Sequence, residues 1–348
     1  MKAPLIDSSE GLTRYPVLHP EAILASHRSA TGATYLDAGD ESHQSACLRC
    51  PDRPCFSFAD EDVTAPALGY LVSPDLRADV CPFGALEWAF DDGSPRVKPE
   101  RCAGCGLCVR RCPVGAIGLH EGVAQVCLTS DLNVTLVMED AAFYERREVV
   151  ADVVRRAAVT GHVSDDRAAL GAVERMAARA VSQSAFRLLA RNALLVMGLE
   201  AQLSKVGDNH SRIELTFSDG ELLGLAELDP GGDLLDASRR LLADVAHAIA
   251  TRGVEADSLR PAIVCGCLPN VRTDVYNLLI DIEDVLGMSV AALPIVALVA
   301  PVMARCSVEE FMVLAAAYED PESGVLSLAE LTGIPIRTLT RGGGAPRK

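Results

Sequence analysis

Aromatic residues are scarce in this 348-residue chain, 4% of the total with one tryptophan, Trp88. The composition is rich in Ala, Leu and Val, which suits a folded protein with an aliphatic core. Cationic residues are also few. The 32 Lys and Arg against 48 Asp and Glu leave a net charge of −16, which argues against a surface coated for nucleic acid or an anionic membrane. The opening residues, MKAPLIDSSEGL, hold no apolar stretch of the kind a secretory signal needs. Long hydrophobic runs are missing with one exception. Residues 287–304 carry no charge over 18 positions, the lower edge of a membrane-spanning length. Pro294 and Pro301 interrupt that window and its many alanines weaken it, so it reads as a buried strand followed by a buried helix. Catalytic signatures are absent as well: no P-loop, no Gly-x-Gly-x-x-Gly at a strand–helix junction and no Gly-x-Ser-x-Gly elbow. An enzyme with its own nucleotide or flavin site is not indicated.

Cysteine, by contrast, is abundant, with 12 residues. The densest run is CAGCGLCVRRCP, residues 102–113. Cys102, Cys105 and Cys108 sit two residues apart, and Cys112 follows after three more with Pro113 behind it. A tight loop at this spacing aims three sulfurs at three irons of one cubane, and the fourth points toward a second cluster. Zinc sites usually space their cysteines as separated pairs. Thiols clustered in this way imply a reducing compartment, and a cytoplasmic location is expected.

Upstream stand Cys47, Cys50 and Cys55, then Cys81 after 25 intervening residues. Taken alone this trio also fits a zinc site or scattered core thiols. An internal repeat favours clusters: CPFGAL at 81–86 parallels CPVGAI at 112–117. Each copy precedes a hairpin-like segment, 87–97 and 118–126, the first turning at Asp91-Asp92-Gly93. Over residues 45–128 the chain resembles the two-cluster bacterial ferredoxin family. The resemblance implies two [4Fe–4S] clusters with crossed ligation. Cys102, Cys105 and Cys108 would share one with Cys81, while Cys47, Cys50 and Cys55 would share the other with Cys112. The first trio departs from the family spacing, two-then-four instead of two-then-two, and the 55–81 interval is stretched by an insertion. Cys127, Cys265, Cys267 and Cys306 lie in apolar stretches and read as core thiols, with Cys265-Gly266-Cys267 alone inviting a ligand or redox reading.

Beyond residue 130 periodicity strengthens. A strand is expected at 131–139 and helices at 144–160 and 165–198; residues 146–191 form the one basic stretch, nine arginines against five acids. Strands follow at 200–206, 212–217 and 221–229, with a turn at Ser218-Asp219-Gly220, then a helix over 233–251 and a buried strand at 261–265. This α-β-β-β-α-β order, with carboxylates on its middle strands, resembles the restriction-endonuclease-like PD-(D/E)xK superfamily over residues 184–266. The resemblance implies a Mg²⁺ or Mn²⁺ site at Glu214, Glu227 and Asp229, in catalytic roles. The family's lysine position holds Asp229, which leaves a carboxylate cluster able to hold a hard cation but poorly equipped to cut. Further helices are expected at 272–287 and 308–318, and residues 326–341 have the look of a helix–turn–helix.

The expected fold is α+β: an irregular arm (1–44), a ferredoxin-like two-cluster domain (45–128), a helical connector (129–183), an α/β domain with a nuclease-like core (184–341) and a tail (342–348). The expected function is electron transfer to a redox partner protein, with the α/β domain as its docking surface and no membrane span. The alternative is a metal-dependent nuclease or nucleic-acid-binding protein whose clusters are structural or redox-sensing.

Overall fold

In the computed structural model, the described residues are 44–45, 47, 50, 52–69, 72–89, 95–112, 117–120, 122–126, 128–129, 182–207, 213–231, 234–269 and 273–333. They divide between two compact units, one comprising residues 1–57 and 83–168, the other 58–82 and 169–348.

Short strands make up the first unit. Both hairpins expected from the repeat are present. Strand β2 (Leu86–Trp88) pairs antiparallel with β3 (Pro95–Val97), and β4 (Ile117–His120) with β5 (Val123–Val126). A further pair joins β1 (Gln44–Ser45) to β6 (Leu128–Thr129). Among the described residues no strand of this unit exceeds four residues, below the length at which a sheet carries a core of its own. Among the described residues the buried apolar set of this unit is small, with Leu86, Trp88, Leu107, Ile117 and Leu119 among its members.

The second unit is built on a five-stranded mixed sheet. Its elements are α3 (Gln183–Met197), β7 (Glu200–Leu203), β8 (Leu215–Ser218), β9 (Leu223–Asp229), α4 (Leu234–Arg252) and β10 (Leu259–Cys265). The expected α-β-β-β-α-β order is therefore present. With β11 (Ala291–Pro294) at the far edge, the strands lie in the order β11-β10-β9-β8-β7. Strands β7, β8 and β9 run antiparallel, and β9, β10 and β11 run parallel. The change of sense follows connection length. The β8–β9 turn is tight, with Asp219 Oδ1 accepting from the Glu221 and Leu222 amides at 3.0 and 2.8 Å and Gly220 at φ 101°. Parallel neighbours need a helical crossover, supplied by α4 and by α5 (Asp274–Leu286). Leu225 and Ile263 of the sheet pack with Leu234, Leu241 and Val245 of α4 and Leu279 and Ile282 of α5. A Cβ at Gly224 would fall inside the Phe217 ring, so glycine is required where β8 and β9 meet that ring.

The uncharged window resolves as its sequence suggested, into buried β11 and buried α6 (Val296–Ala304). Among the described residues no helix is long and apolar enough to cross a membrane. Helices α7 (Val308–Ala317) and α8 (Pro321–Thr332) complete the unit, α7 opened by a capping box between Ser307 and Glu310. The strand and helices expected between 131 and 181, and the second half of the helix–turn–helix, lie outside the described residues.

One segment departs from the expected domain limits. Residues 58–82, placed by sequence inside the 45–128 domain, pack on the second unit. They include a short helix, α1 (Asp60–Thr64), and a bridge from Pro74 to Ser204 beyond β7. Val72 joins the apolar core of that unit, and hydrogen bonds fix the segment to β7. The Asp75 amide donates to Leu203 O at 2.8 Å, Lys205 N to Ser73 O at 2.7 Å and Gln202 Nε2 to Thr64 O at 2.5 Å.

Candidate iron–sulfur centres and the carboxylate site

In the first unit the chain 50–57 turns sharply at Arg53, which takes a left-handed φ of 47° and donates its amide to Cys50 O at 3.0 Å. This turn absorbs the longer Cys50–Cys55 spacer. The Arg53 guanidinium lies 4.7 Å from the Trp88 ring centroid, and Phe56 meets the same ring edge-on at 6.1 Å. The only tryptophan in the sequence thus anchors the loop between two thiols.

Helix α2 (Leu107–Arg111) carries Cys108 and ends at Cys112, whose extended ψ of 110° is what the following Pro113 demands. Arg111 reaches from the last turn of α2 to Pro54 O at 2.5 Å and Ser57 O at 3.4 Å. It ties the helix that ends in Cys112 to the loop that holds Cys55. Nothing in the spacing of the cysteines marks Arg111 for that role.

Cys47, Cys50 and Cys55 are all buried. Burial pushes the Cys50 thiol well above the usual range, and the neighbouring charges of Cys112 and Cys47 push it further. Cys55 is raised in the same way, by burial and then by Cys112, Cys47 and Cys50. Four sulfurs from two distant stretches are thus electrostatic neighbours. Crowded thiols of this kind resist ionising until a cation compensates them.

Among the described residues, no group of three or more His, Cys, Asp or Glu side chains is arranged to hold one metal ion. One zinc with bonds of about 2.3 Å would draw its four sulfurs to roughly 3.8 Å from each other. A cubane instead takes one thiolate at each iron around a larger body. Four thiols from two stretches of chain match that second requirement in number and residue type.

The other trio lies on a loop shaped by glycine. Gly104 and Gly106 hold φ of 70° and 77°, which a side chain would strain. Cys102 and Cys105 are buried and Cys108 is half-buried. Cys102 Sγ accepts two amides, Gly104 N at 3.4 Å and Ala124 N at 3.3 Å. Amides aimed at a ligand sulfur stabilise added negative charge and raise a cluster's potential. Cys81 closes the 58–82 segment and so belongs to the second unit, apart from the 102–108 trio in the division of the chain.

The structure gives each of the three carboxylates its own partner. Glu214 accepts from Arg187 Nη1 at 2.8 Å and from the Leu228 amide at 2.9 Å. Glu227, 1% exposed, accepts from Arg240 Nε at 2.8 Å and lies against Asp244 on α4. Asp229 Oδ1 accepts from Gly231 N at 2.9 Å, turning the chain at the end of β9. Glu214 and Glu227 are thus each paired with a guanidinium while Asp229 is bonded to a backbone amide, and among the described residues no group of these acids is arranged to hold a metal ion. Cys265 and Cys306 are buried as expected, and Cys265 Sγ donates to Leu293 O at 3.7 Å.

Residues 78–116 match the 4Fe-4S dicluster domain family, a span that includes Cys81, Cys102, Cys105, Cys108 and Cys112. The chain is 31% identical over 81 residues to an uncharacterized ferredoxin of Methanocaldococcus jannaschii, covering 23% of this chain and 38% of that protein. It is 43% identical over 47 residues to one component of the Na(+)-translocating ferredoxin:NAD(+) oxidoreductase complex of Acetobacterium woodii, 14% of each. The chain therefore spans less than two thirds of the length of either relative. No solved structure matches it, and the restriction-endonuclease-like resemblance finds no support in these comparisons. What the chain carries is an iron–sulfur, ferredoxin-like segment.

Proposed function

We propose that the protein binds two [4Fe–4S] clusters and passes electrons, one at a time, to a partner protein. The observation that carries this reading is the repeat of a cysteine–proline tail at 81–86 and 112–117 beside two cysteine trios, supported by the charge of Cys112, more than fifty positions away in the chain, helping to raise Cys50 and Cys55. The crossed set the ferredoxin resemblance implies joins Cys47, Cys50 and Cys55 to Cys112. By the same logic Cys102, Cys105 and Cys108 take Cys81 as their fourth ligand.

A bound cluster supplies reversible one-electron capacity. The chain's residues do the rest. Arg111 and Arg53 hold the first set's loops, and the Gly104 and Ala124 amides stabilise charge at Cys102 Sγ. The second unit offers the docking surface for the partner. The names of both relatives, a ferredoxin and a component of a ferredoxin-linked oxidoreductase complex, support a redox role. A nuclease reading has no comparable support: Arg187 and Arg240 pair with two of its three acids, Glu214 and Glu227.

The test is anaerobic iron and sulfide content with EPR of the dithionite-reduced protein. About eight irons per chain, with spin-coupled signals from two reduced clusters, is the expected result. About four irons, with no signal on reduction, would overturn it.

A further inference from the structure

Cys81 stands at the end of a segment gripped from one helix. Arg191 of α3 is fully buried. Its Nη1 donates to Asp75 O at 3.0 Å and its Nη2 to Arg77 O at 2.6 Å. The Nε and Nη2 groups also donate to Asn192 Oδ1, at 3.0 and 2.9 Å. Asn192, likewise fully buried, turns its Nδ2 to Asp79 O at 2.9 Å and Val80 O at 3.1 Å. On the surface side Asp75 pairs with Arg77, whose Nη1 donates to Ser184 Oγ at 2.6 Å.

This arrangement is costly unless fully bonded. A guanidinium without solvent is stable only when its donors are used, and burial lowers Arg191 to about 10. The donors are spent on carbonyls of residues 75–80, a stretch with nothing longer than an isolated bridge to pair its backbone. The last carbonyl held, Val80 O, belongs to the peptide that leads into Cys81.

We infer that Asn192 and Arg191 are positioning residues for Cys81, so that helix α3 of the α/β unit sets the geometry of an iron–sulfur ligand. The inference rests on the proposed ligand role of Cys81. A change in the hold on the Val80–Cys81 peptide would alter the ligand sulfur and with it the cluster's potential or occupancy.

The discriminating variant is Asn192→Asp. It keeps the Oδ1 acceptor for Arg191 and turns the two Nδ2 donors into an acceptor facing carbonyls. In the full-length protein, iron is expected to fall from about eight toward about four per chain. In molecules that keep both clusters, the EPR signal and midpoint potential of one cluster should change and the other stay fixed. Asn192→Gln, which retains an amide donor, should recover part of the iron. Ser182→Ala, which removes the side-chain acceptor capping the start of α3, serves as the control for helix damage; it should leave iron and EPR unchanged. Unchanged iron and EPR in Asn192→Asp, alongside half the iron lost in Cys81→Ser, would overturn the positioning role. Unchanged iron in Cys81→Ser would sink the ligand assignment itself.

Discussion

The two units solve the problem of stability differently. The second has a seven-residue β9 and a seven-residue β10 at the centre of a sheet covered by long helices, so apolar burial suffices to hold it. The first has strands of two to four residues and a handful of buried side chains among its described residues. Small cores of that kind commonly need a disulfide, metal or cluster to become stable. The difference teaches where each unit keeps its polar chemistry. In the first it is buried thiols of two chain stretches; in the second it is buried carboxylates, of which Glu227 pairs with Arg240 and Asp75 with Arg77.

The sharpest way to break this comparison is to take the iron out. Anaerobic chelation should erase amide-exchange protection in residues 117–120 and 123–126 while leaving 223–229 and 259–265 protected. Equal protection throughout would mean that the first unit stands without its clusters. Next in size, Leu225→Ala in the fully buried centre of β9 should cost about 2–5 kcal/mol in urea unfolding, with iron content unchanged.

Glu227 offers a pH test of the second unit alone. Burial raises its carboxyl to about 7, with Asp244 adding to the rise and Arg240 opposing it; Glu214 is the other acid nearby. A folded-state value above the unfolded one means that the folded protein holds the proton more tightly. Stability from this group is therefore complete below pH 4.5 and is lost as pH rises toward about 7. The loss should be on the order of 1–3 kcal/mol, and Glu227→Gln should flatten that part of the pH–stability curve. A curve that slopes the same way in the variant would assign the effect to other groups. Smallest of all, Ser307→Ala removes the amide acceptor at the start of α7 and should cost about 1 kcal/mol, read as a lowered urea midpoint.

Much of the frame is visible in local pattern. The thiol–proline repeat foretells both hairpins, because a turn residue and alternating apolar positions act over a few residues. The order of elements from 183 to 265 follows from hydrophobic period and from the Asp219-Gly220 turn, and the uncharged window at 287–304 separates into strand and helix at Pro294.

The carboxylates show where local reading stops. Residues Glu227 and Asp229 share a strand face, as the alternation predicts, yet their partners Arg240 and Gly231 give them different roles. The sequence alone determined which residues carry sulfur and which segments are strand or helix, since those properties reside in side-chain chemistry and short periods. Only the tertiary structure decided that residues 58–82 join the α/β unit, that Arg111 ties Cys112 to the Cys55 loop, and that Arg187 and Arg240 pair with Glu214 and Glu227. Each depends on hydrogen bonds and ion pairs whose partners the fold brings together, several of them far apart in the chain, and such pairings leave no period in the sequence.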